Sequence, residues 1–227
     1  MPDNATTWAL VPIKNFTRAK SRLSTALSAE QCAQLATYMA ADVTTTLRNC
    51  TGIGHVVCLG EDPLIRTFST EQDCEFIAEL EGAGLSANLD HAARQLQANG
   101  AQTLLIIPSD LPTITTNDVD ALLREHCGGL TICPAGRDGG TNALVISPPT
   151  GIGFLFGEQS CERHILAAKA AGLEHRVTCP TAFQCDIDRP TDLVQLCSIN
   201  PMGHTGKYLS QSGIRSAFRQ PPSVASA

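Results

Sequence analysis

The chain has 227 residues, of which 43% are hydrophobic and 17% are charged, and its formal net charge is −6. These values are typical of a globular protein with a single domain, and they exclude wholesale disorder. The sequence has no long run of Lys and Arg, which argues against nucleic acid as a partner. It also has no run of 18 apolar residues, which argues against a membrane span.

Strands and helices are predicted to alternate along the chain. Apolar runs predict strands at residues 8–13, 55–60, 75–78, 103–108, 130–134, 143–147, 174–178 and 183–187. Helical periodicity and capping residues predict helices at residues 28–50, 85–98, 117–126, 160–172 and 190–197. This alternation indicates an α/β fold with a mostly parallel sheet and helices on both faces, which binds ligands beyond the carboxyl ends of its strands.

The composition changes near residue 202, after which Gly, Ser and Pro become more frequent. We therefore expect one domain over residues 1–201, followed by a loosely packed arm or tail over residues 202–227.

Ten cysteines are spread along the chain, and their even number invites a disulfide interpretation. The N-terminus shows no secretory signal, and the cysteines form neither a CxxC pair nor a Cys/His zinc spacing. Cys58 and Cys133 lie in apolar runs, where a free thiol behaves as a small hydrophobic group. The sequence therefore predicts reduced thiols and a cytoplasmic location.

Three aspartates follow predicted strands at the edge of the sheet where ligands bind. Asp110 comes directly after the strongest apolar run, and Asp186 and Asp188 flank one apolar residue at the end of a predicted strand. In an extended segment the latter two carboxylates share one face, where a divalent cation would relieve their repulsion. Carboxylates without His or Cys favour Mg²⁺ or Mn²⁺. The alternative is that these residues cap turns and helices.

A basic loop follows the first predicted strand, where Lys14, Arg18, Lys20 and Arg22 place four cations within nine residues. The loop has neither the GxxxxGK[ST] nor the GxGxxG pattern. The first strand–helix loop of a doubly wound sheet is a common phosphate site, and Lys and Arg bind phosphate oxygens there. The alternative is an ordinary solvated loop.

A Gly-rich turn over residues 136–142 lies upstream of Gly157 and Ser160. Glycines let backbone N–H groups approach an anion closely, and Ser160 opens a predicted helix whose N-terminus favours negative charge. Ser160 could hold an acid through its hydroxyl or its backbone N–H. The alternative is a hairpin turn and a helix cap, and His164 on the same helix fits a core or surface position better than a ligand site.

Five motifs together resemble a known family in their order along the chain: VPIKNFTRAKSRL, PSDLP, DGGTNAL, FGEQS followed by His164, and DIDRPTDL. They are similar to those of the 2-phospho-L-lactate guanylyltransferases of coenzyme F420 biosynthesis, which include phosphoenolpyruvate and 3-phosphoglycerate guanylyltransferases. The resemblance covers residues 8–193. It implies a single-domain, nucleotide-diphospho-sugar-transferase-like fold, also described as GT-A and Rossmann-related.

The resemblance also implies GTP as donor, Mg²⁺ or Mn²⁺ as cofactor and a small phosphorylated three-carbon acid as acceptor. The implied metal ligands are Asp110, Asp186 and Asp188. The implied triphosphate-binding residues are Lys14, Arg18 and Lys20, of which Lys14 and Lys20 share catalysis with Asp110. The implied acceptor-binding residues are Thr141, Gly157 and Ser160. Gly84 falls on a nucleotide-binding loop, although the chain has Gly84-Leu85-Ser86 where the family commonly has Gly-Leu-Asn.

Two other interpretations remain open. One is a molybdenum-cofactor or sugar-1-phosphate nucleotidyltransferase, although the LAGGxSxRMG loop of those enzymes is absent. The other is a non-catalytic nucleotide-binding regulator, which the three aspartates argue against. The assembly state is open, and a homodimer is compatible with the sequence.

Overall fold

The computed structural model describes residues 6–61, 63–137 and 139–218. Within them the chain forms one sheet of seven strands in the order β3-β2-β1-β4-β6-β5-β7. The strands are Thr7–Pro12 (β1), His55–Gly60 (β2), Glu75–Ala78 (β3), Thr103–Ile106 (β4), Gly129–Pro134 (β5), Thr141–Ser147 (β6) and His175–Val177 (β7). Only β6 runs antiparallel to its neighbours, β4 and β5. The predicted mostly parallel α/β sheet is confirmed.

Eight helices accompany these strands in the described part of the chain. They are Ala29–Arg48 (α1), Pro63–Glu71 (α2), Leu85–Ala98 (α3), Thr116–Glu125 (α4), Ser160–Ala170 (α5), Pro190–Ile199 (α6), Gly203–Gln211 (α7) and Ile214–Phe218 (α8). Short 3-10 turns occupy Phe16–Arg18, Ser21–Leu23 and Thr181–Gln184. The structure contains no helix, among the residues it describes, that is long and apolar enough to cross a lipid bilayer.

Helices cover both faces of the sheet, as predicted. Alternate residues of β1 point to opposite faces, so Ala9 and Val11 pack with α1, α2 and α4 while Trp8 and Leu10 pack with α3 and α5. Because β1 is buried on both sides, it reads as a continuous apolar run rather than an alternating one.

Local capping signals fix two helix starts. Ser28 and Gln31 form the predicted capping box of α1. Helix α4 is capped by Thr115 with Asp118, and not by Asn117 as the sequence suggested. The Thr115 hydroxyl accepts from the backbone N–H of Asp118, while the Asp118 carboxylate accepts from the backbone N–H of Thr115.

The strand predicted over residues 183–187 is wrong. The segment begins within a 3-10 turn, and the two apolar side chains that suggested a strand enter different cores. Phe183 packs under the sheet with α1 and α4, whereas Ile187 packs against α6 and α7. The backbone N–H of Ile187 donates to the carbonyl of Asp110 over 3.1 Å, so the segment is tied to the loop after β4.

The prediction of a loose arm after residue 202 is wrong for the part that the structure describes. Leu209 and Ile214 of α7 and α8 are buried in a third core with α1 and α6. The Asp42 carboxylate of α1 accepts hydrogen bonds from the backbone N–H groups of His204 and Thr205, which caps α7. The segment was predicted as a tail because its composition is polar, but α7 has a narrow apolar face, with Tyr208 and Leu209, that packs into this core. Residues 219–227 of the predicted tail lie outside the described residues.

Candidate functional site

A cavity of about 260 Å³ opens at the carboxyl ends of β1 and β4. The predicted site residues in its wall are Lys14, Lys20, Asp110, Thr141 and Asp188. Lys14, Lys20 and Asp110 meet because the parallel strands β1 and β4 direct their following loops to the same edge, and Thr141 opens the antiparallel strand β6 at that edge. Asp188 lies on a segment without strand or helix, which a backbone hydrogen bond ties to the loop after β4. The cavity therefore joins the basic loop, two of the three aspartates and the Gly-rich turn, whereas Asp186 lines a separate small cavity beside Arg137 and Asp192.

Other predicted site residues do not line this cavity. Arg18 is exposed at the end of a 3-10 turn. Gly84 is the exposed N-cap of α3 and directly precedes Leu85, which does line the cavity. Gly84 has a φ of −82°, and a Cβ there would meet no atom within 4 Å, so the backbone at this position does not require glycine.

Lys20 lies between two of the aspartates. Its Nζ is 2.5 Å from Asp110 Oδ2 and 3.9 Å from Asp188 Oδ1, and its side chain is 8% exposed. The backbone of Lys20 is left-handed, with a φ of +58°, which a non-glycine residue adopts at some cost in energy. Lys20 lies between the two 3-10 turns of the basic loop, and its ammonium group points inward to Asp110.

Asp186 and Asp188 have different partners although they lie two residues apart. Asp188 pairs with the guanidinium of Arg22. Asp186 Oδ1 accepts from Asn142 Nδ2 over 3.1 Å, and the same amide donates to the carbonyl of Phe183. Burial raises the pKa of Asp186, the Asn142 hydrogen bond opposes that rise, and the negative charge of Asp110 adds to it.

A further aspartate, Asp192 of α6, holds the backbone of residues 186–189, called here the DIDR segment. Its carboxylate is 3% exposed, and it accepts from the backbone N–H groups of Asp188 and Arg189 and from two guanidinium nitrogens of Arg137. Burial alone would raise the pKa of Asp192. The hydrogen bonds from Arg137 and from the two amides outweigh burial and lower that pKa to about 2.

Mg²⁺ and Mn²⁺ need several oxygen ligands at one point, and the three predicted aspartates can be compared with this requirement. Among the described residues, no three His, Cys, Asp or Glu side chains are grouped closely enough to hold a metal ion. Asp110 Oδ1 is buried and has no hydrogen-bond partner within the same residues. Asp110 and Asp188 already hold one cationic group, Lys20, between them, and their oxygen atoms are of the type that Mg²⁺ and Mn²⁺ bind. The full three-aspartate ligand set remains a prediction.

Thr141, which also lines the cavity, is one of a pair of neighbouring hydroxyl groups. Thr141 Oγ1 lies 2.9 Å from Ser160 Oγ and 3.3 Å from His164 Nδ1. Ser160 is 1% exposed and lies behind Thr141. Its backbone N–H donates to the carbonyl of Gly157, whose φ is +125°, so that N–H is used within the loop. The Ser160 hydroxyl meets Thr141 Oγ1, and neither Ser160 nor Gly157 lines the cavity, so the direct contact of these two residues with an acid remains a prediction.

Several residues of the site gave little signal in the sequence. Glu79 and Phe156 line the cavity, yet neither belongs to a recognisable chemical pattern. Burial raises the pKa of Glu79, the charge of Glu61 adds to that rise, and the charge of Lys14 opposes it. His164 is fully buried, as the simpler interpretation expected. It lies one helical turn after Ser160, and this spacing is the sequence signal that both side chains could contact the same residue, which is Thr141.

Comparison with known proteins identifies relatives over most of the chain. A family model described as "Guanylyl transferase CofC like" matches residues 7–226. A phosphoenolpyruvate guanylyltransferase from Sphaerobacter thermophilus is 34% identical over 202 residues, which cover 87% of this chain and 96% of the relative. A 3-phospho-D-glycerate guanylyltransferase from Phenylobacterium zucineum is 32% identical over 211 residues, or 89% of this chain and 94% of the relative.

A solved structure described as a nucleotide-diphospho-sugar transferase, from Desulfovibrio desulfuricans G20, shares the fold with a TM-score of 0.78. It covers 96% of this chain and 100% of its own, at 17% sequence identity. The predicted nucleotide-diphospho-sugar-transferase-like fold is therefore confirmed.

Proposed function

The chain belongs to the CofC-like guanylyl transferase family, and from this membership we propose that it moves GMP from GTP onto the phosphate of a small three-carbon acid. Pyrophosphate is the second product, and the reaction serves coenzyme F420 biosynthesis. Phosphoenolpyruvate, 2-phospho-L-lactate and 3-phospho-D-glycerate are the acceptors to be compared, and relatives named for the first and third support this class.

One observation carries the proposal: cations, carboxylates and a hydroxyl converge on one cavity. Lys14 and Lys20 line it together with Asp110 and Asp188, and Thr141 lines it as well. Two anionic substrates must meet for nucleotidyl transfer, so a site for this reaction needs positive charge and donors placed in advance.

The chemistry is an in-line displacement at the α-phosphorus of GTP. An oxygen of the acceptor phosphate forms the new P–O bond, and the bond between the α-phosphorus and the bridging oxygen to the β-phosphate breaks. The acceptor phosphate is already an anion, so no side chain has to remove a proton from it. The protein therefore acts by positioning and by neutralising charge.

Each charged group has a separate task in this proposal. Lys14 contacts the triphosphate of GTP. An ammonium group has three N–H donors, so Lys20 can hold Asp110 and contact a phosphate oxygen at the same time. A divalent cation held by Asp110 and Asp188 would supply Lewis-acid stabilisation of the charge on the phosphates. Asp192 keeps the backbone of the DIDR segment in place for Asp188.

The test is mass spectrometry of the products formed from GTP, Mg²⁺ and each of the three acids, with pyrophosphate release measured in parallel. We expect a GMP adduct of at least one acid in equal amount to pyrophosphate. Glucose 1-phosphate is the comparison acceptor for the sugar-1-phosphate alternative. Binding of GTP without release of pyrophosphate in any mixture would instead support the non-catalytic regulator.

A further inference from the structure

The hydroxyl of Thr141 is surrounded by groups that fix its proton. Thr141 lines the cavity, whereas Ser160 and His164 lie behind it on α5, 1% and 0% exposed. Their side chains reach Thr141 Oγ1 at 2.9 Å and 3.3 Å. A hydroxyl has one proton to donate and two positions that accept, so the direction of these two contacts decides what Thr141 offers to a ligand.

The direction of the His164 contact follows from the other side of its ring. The backbone N–H of Leu155 lies 2.9 Å from His164 Nε2 and can only donate, so Nε2 carries the lone pair. A neutral imidazole has its proton on the other nitrogen, so Nδ1 is the donor, and its N–H is shared between Thr141 Oγ1 and the backbone carbonyl of Ser160. Burial is the main reason that the pKa of His164 is lowered to about 4, which keeps the ring neutral at neutral pH.

The direction of the Ser160 contact follows from its burial. A buried hydroxyl proton needs an acceptor, and Thr141 Oγ1 is the partner found for the Ser160 hydroxyl within the described residues. With the hydrogen bond from Ser160 and the shared one from His164, both accepting positions of Thr141 face donors. Its own proton is then left to point into the cavity.

We propose that His164 and Ser160 make Thr141 an obligatory donor, so that its hydroxyl binds an oxygen of the acid substrate and rejects donor groups at the same position. His164 acts as a positioning residue, since it does not contact the substrate. The ring of Phe156, edge-on to His164 with 4.9 Å between centroids, covers the imidazole on the cavity side. The inference rests on the proposed function only for the identity of the ligand.

The tautomer is tested first, because that measurement needs no substrate. Long-range ¹H–¹⁵N spectra of the full chain between pH 6 and pH 8 should show His164 neutral, with Nδ1 protonated and Nε2 bare. A proton on Nε2, or a charged ring in this range, would overturn the proposal whatever reaction the protein catalyses.

The second test is a double-mutant cycle on turnover. His164→Phe and Thr141→Val should each raise the KM for the acid by about tenfold, the scale of one hydrogen bond to a charged group, and leave the KM for GTP near its wild-type value. The double variant should match Thr141→Val alone, because His164 acts through the Thr141 hydroxyl. His164→Asn, which keeps an N–H near the Nδ1 position, should stay close to wild type.

The matched control is His126→Phe. His126 is a partly buried imidazole that contacts Thr131 and Ser147 at the opposite edge of the sheet, so its loss should not change either KM. A full additional effect of His164→Phe in the Thr141→Val background would show a merely structural role and overturn the proposal. Failure of the wild type to turn over any of the three acids would refute the proposed function, while the tautomer measurement would still test whether His164 can donate to Thr141.

Discussion

Asp110 has two oxygen atoms in different surroundings. Oδ2 is bound by Lys20, whereas Oδ1 is buried without a partner among the described residues. A buried carboxylate oxygen without a donor is costly, and such an arrangement is typical of a group whose partner arrives with the substrates. The charge of Asp110 thus has two tasks, which are to hold Lys20 and to receive a cation.

Asp110→Asn should reduce kcat on the order of 10²-fold or more, because the amide cannot balance Lys20 or bind a divalent cation as a carboxylate does. Asp188→Asn should have a similar effect. Steady-state kinetics with Mg²⁺ test this, and Glu71→Gln, at an exposed carboxylate, is the control. Near-normal rates in either site variant, with unchanged thermal stability, would refute the assignment of both aspartates to the reaction.

Lys14 differs from Lys20 in having an exposed position on the cavity rim. Lys14→Ala should raise the KM for GTP about tenfold, since it removes a charge-assisted contact to phosphate worth about 1.5–3 kcal/mol. Lys169→Ala, at an exposed lysine near the end of α5, should leave that KM unchanged. A wild-type KM for GTP in Lys14→Ala would identify the rim of the basic loop as ordinary solvated surface.

The segment that carries Asp186 and Asp188 has no strand or helix to hold it. Helix α6 replaces that support, because Asp192 in its first turn accepts from the backbone amides of Asp188 and Arg189 and from Arg137. This places the Gly-rich turn, the DIDR segment and α6 in one hydrogen-bonded unit. The geometry of the aspartates therefore depends on an ion pair outside the cavity wall.

The Asp192 unit should make stability depend on pH. The pKa of Asp192 is about 2 in the folded protein and near 3.9 in an unfolded chain, a difference worth about 2.6 kcal/mol. Because the folded-state pKa is the lower one, this stabilisation is complete above about pH 4 and is lost as the pH falls toward 2. Urea unfolding should show Asp192→Asn clearly destabilised at pH 7, with a smaller deficit at pH 3.

Asp73→Asn is the control for that comparison, because the Arg48–Asp73 pair is exposed and such pairs contribute little. A deficit for Asp192→Asn that is as large at pH 3 as at pH 7 would mean that the charge of Asp192 does not stabilise the fold.

Across the whole molecule, the ten cysteines all lie among the described residues as free thiols. Cys32, Cys50, Cys58, Cys133 and Cys197 are buried, whereas Cys127 and Cys179 are exposed. Cys50, Cys58 and Cys133 belong to the core between the sheet and α1, α2 and α4, and Cys32 and Cys197 belong to the third core, so cysteine serves as a small hydrophobic group in both.

A thiol reagent should therefore label the folded protein in two stages. Cys127 and Cys179 should react rapidly, and the buried thiols should react only as the protein unfolds. In denaturant without reductant, all ten thiols should titrate. Replacing both exposed cysteines by Ser should remove the rapid phase. A total below ten, in protein purified with thiol exchange blocked, would indicate a disulfide.

The sequence by itself determined the order of most strands and helices, the fold class and the three regions that meet at the cavity. These features depend on local periodicity, on capping residues such as Ser28, and on the rule that loops after parallel strands share one edge. The placement of Lys14, Lys20 and Asp110 at one edge followed from that rule, whereas Asp188 reaches the cavity on a segment that forms no strand.

Tertiary structure alone decided how those residues interact. Lys20 reaches Asp110 across 90 positions of sequence, and Arg137 reaches Asp192 across 55, and no local pattern encodes such pairs. Tertiary packing also turned the predicted strand at Phe183 into a 3-10 turn. Burial, finally, set the proton positions around Thr141, because the partners of a side chain become fixed only when other elements close over it.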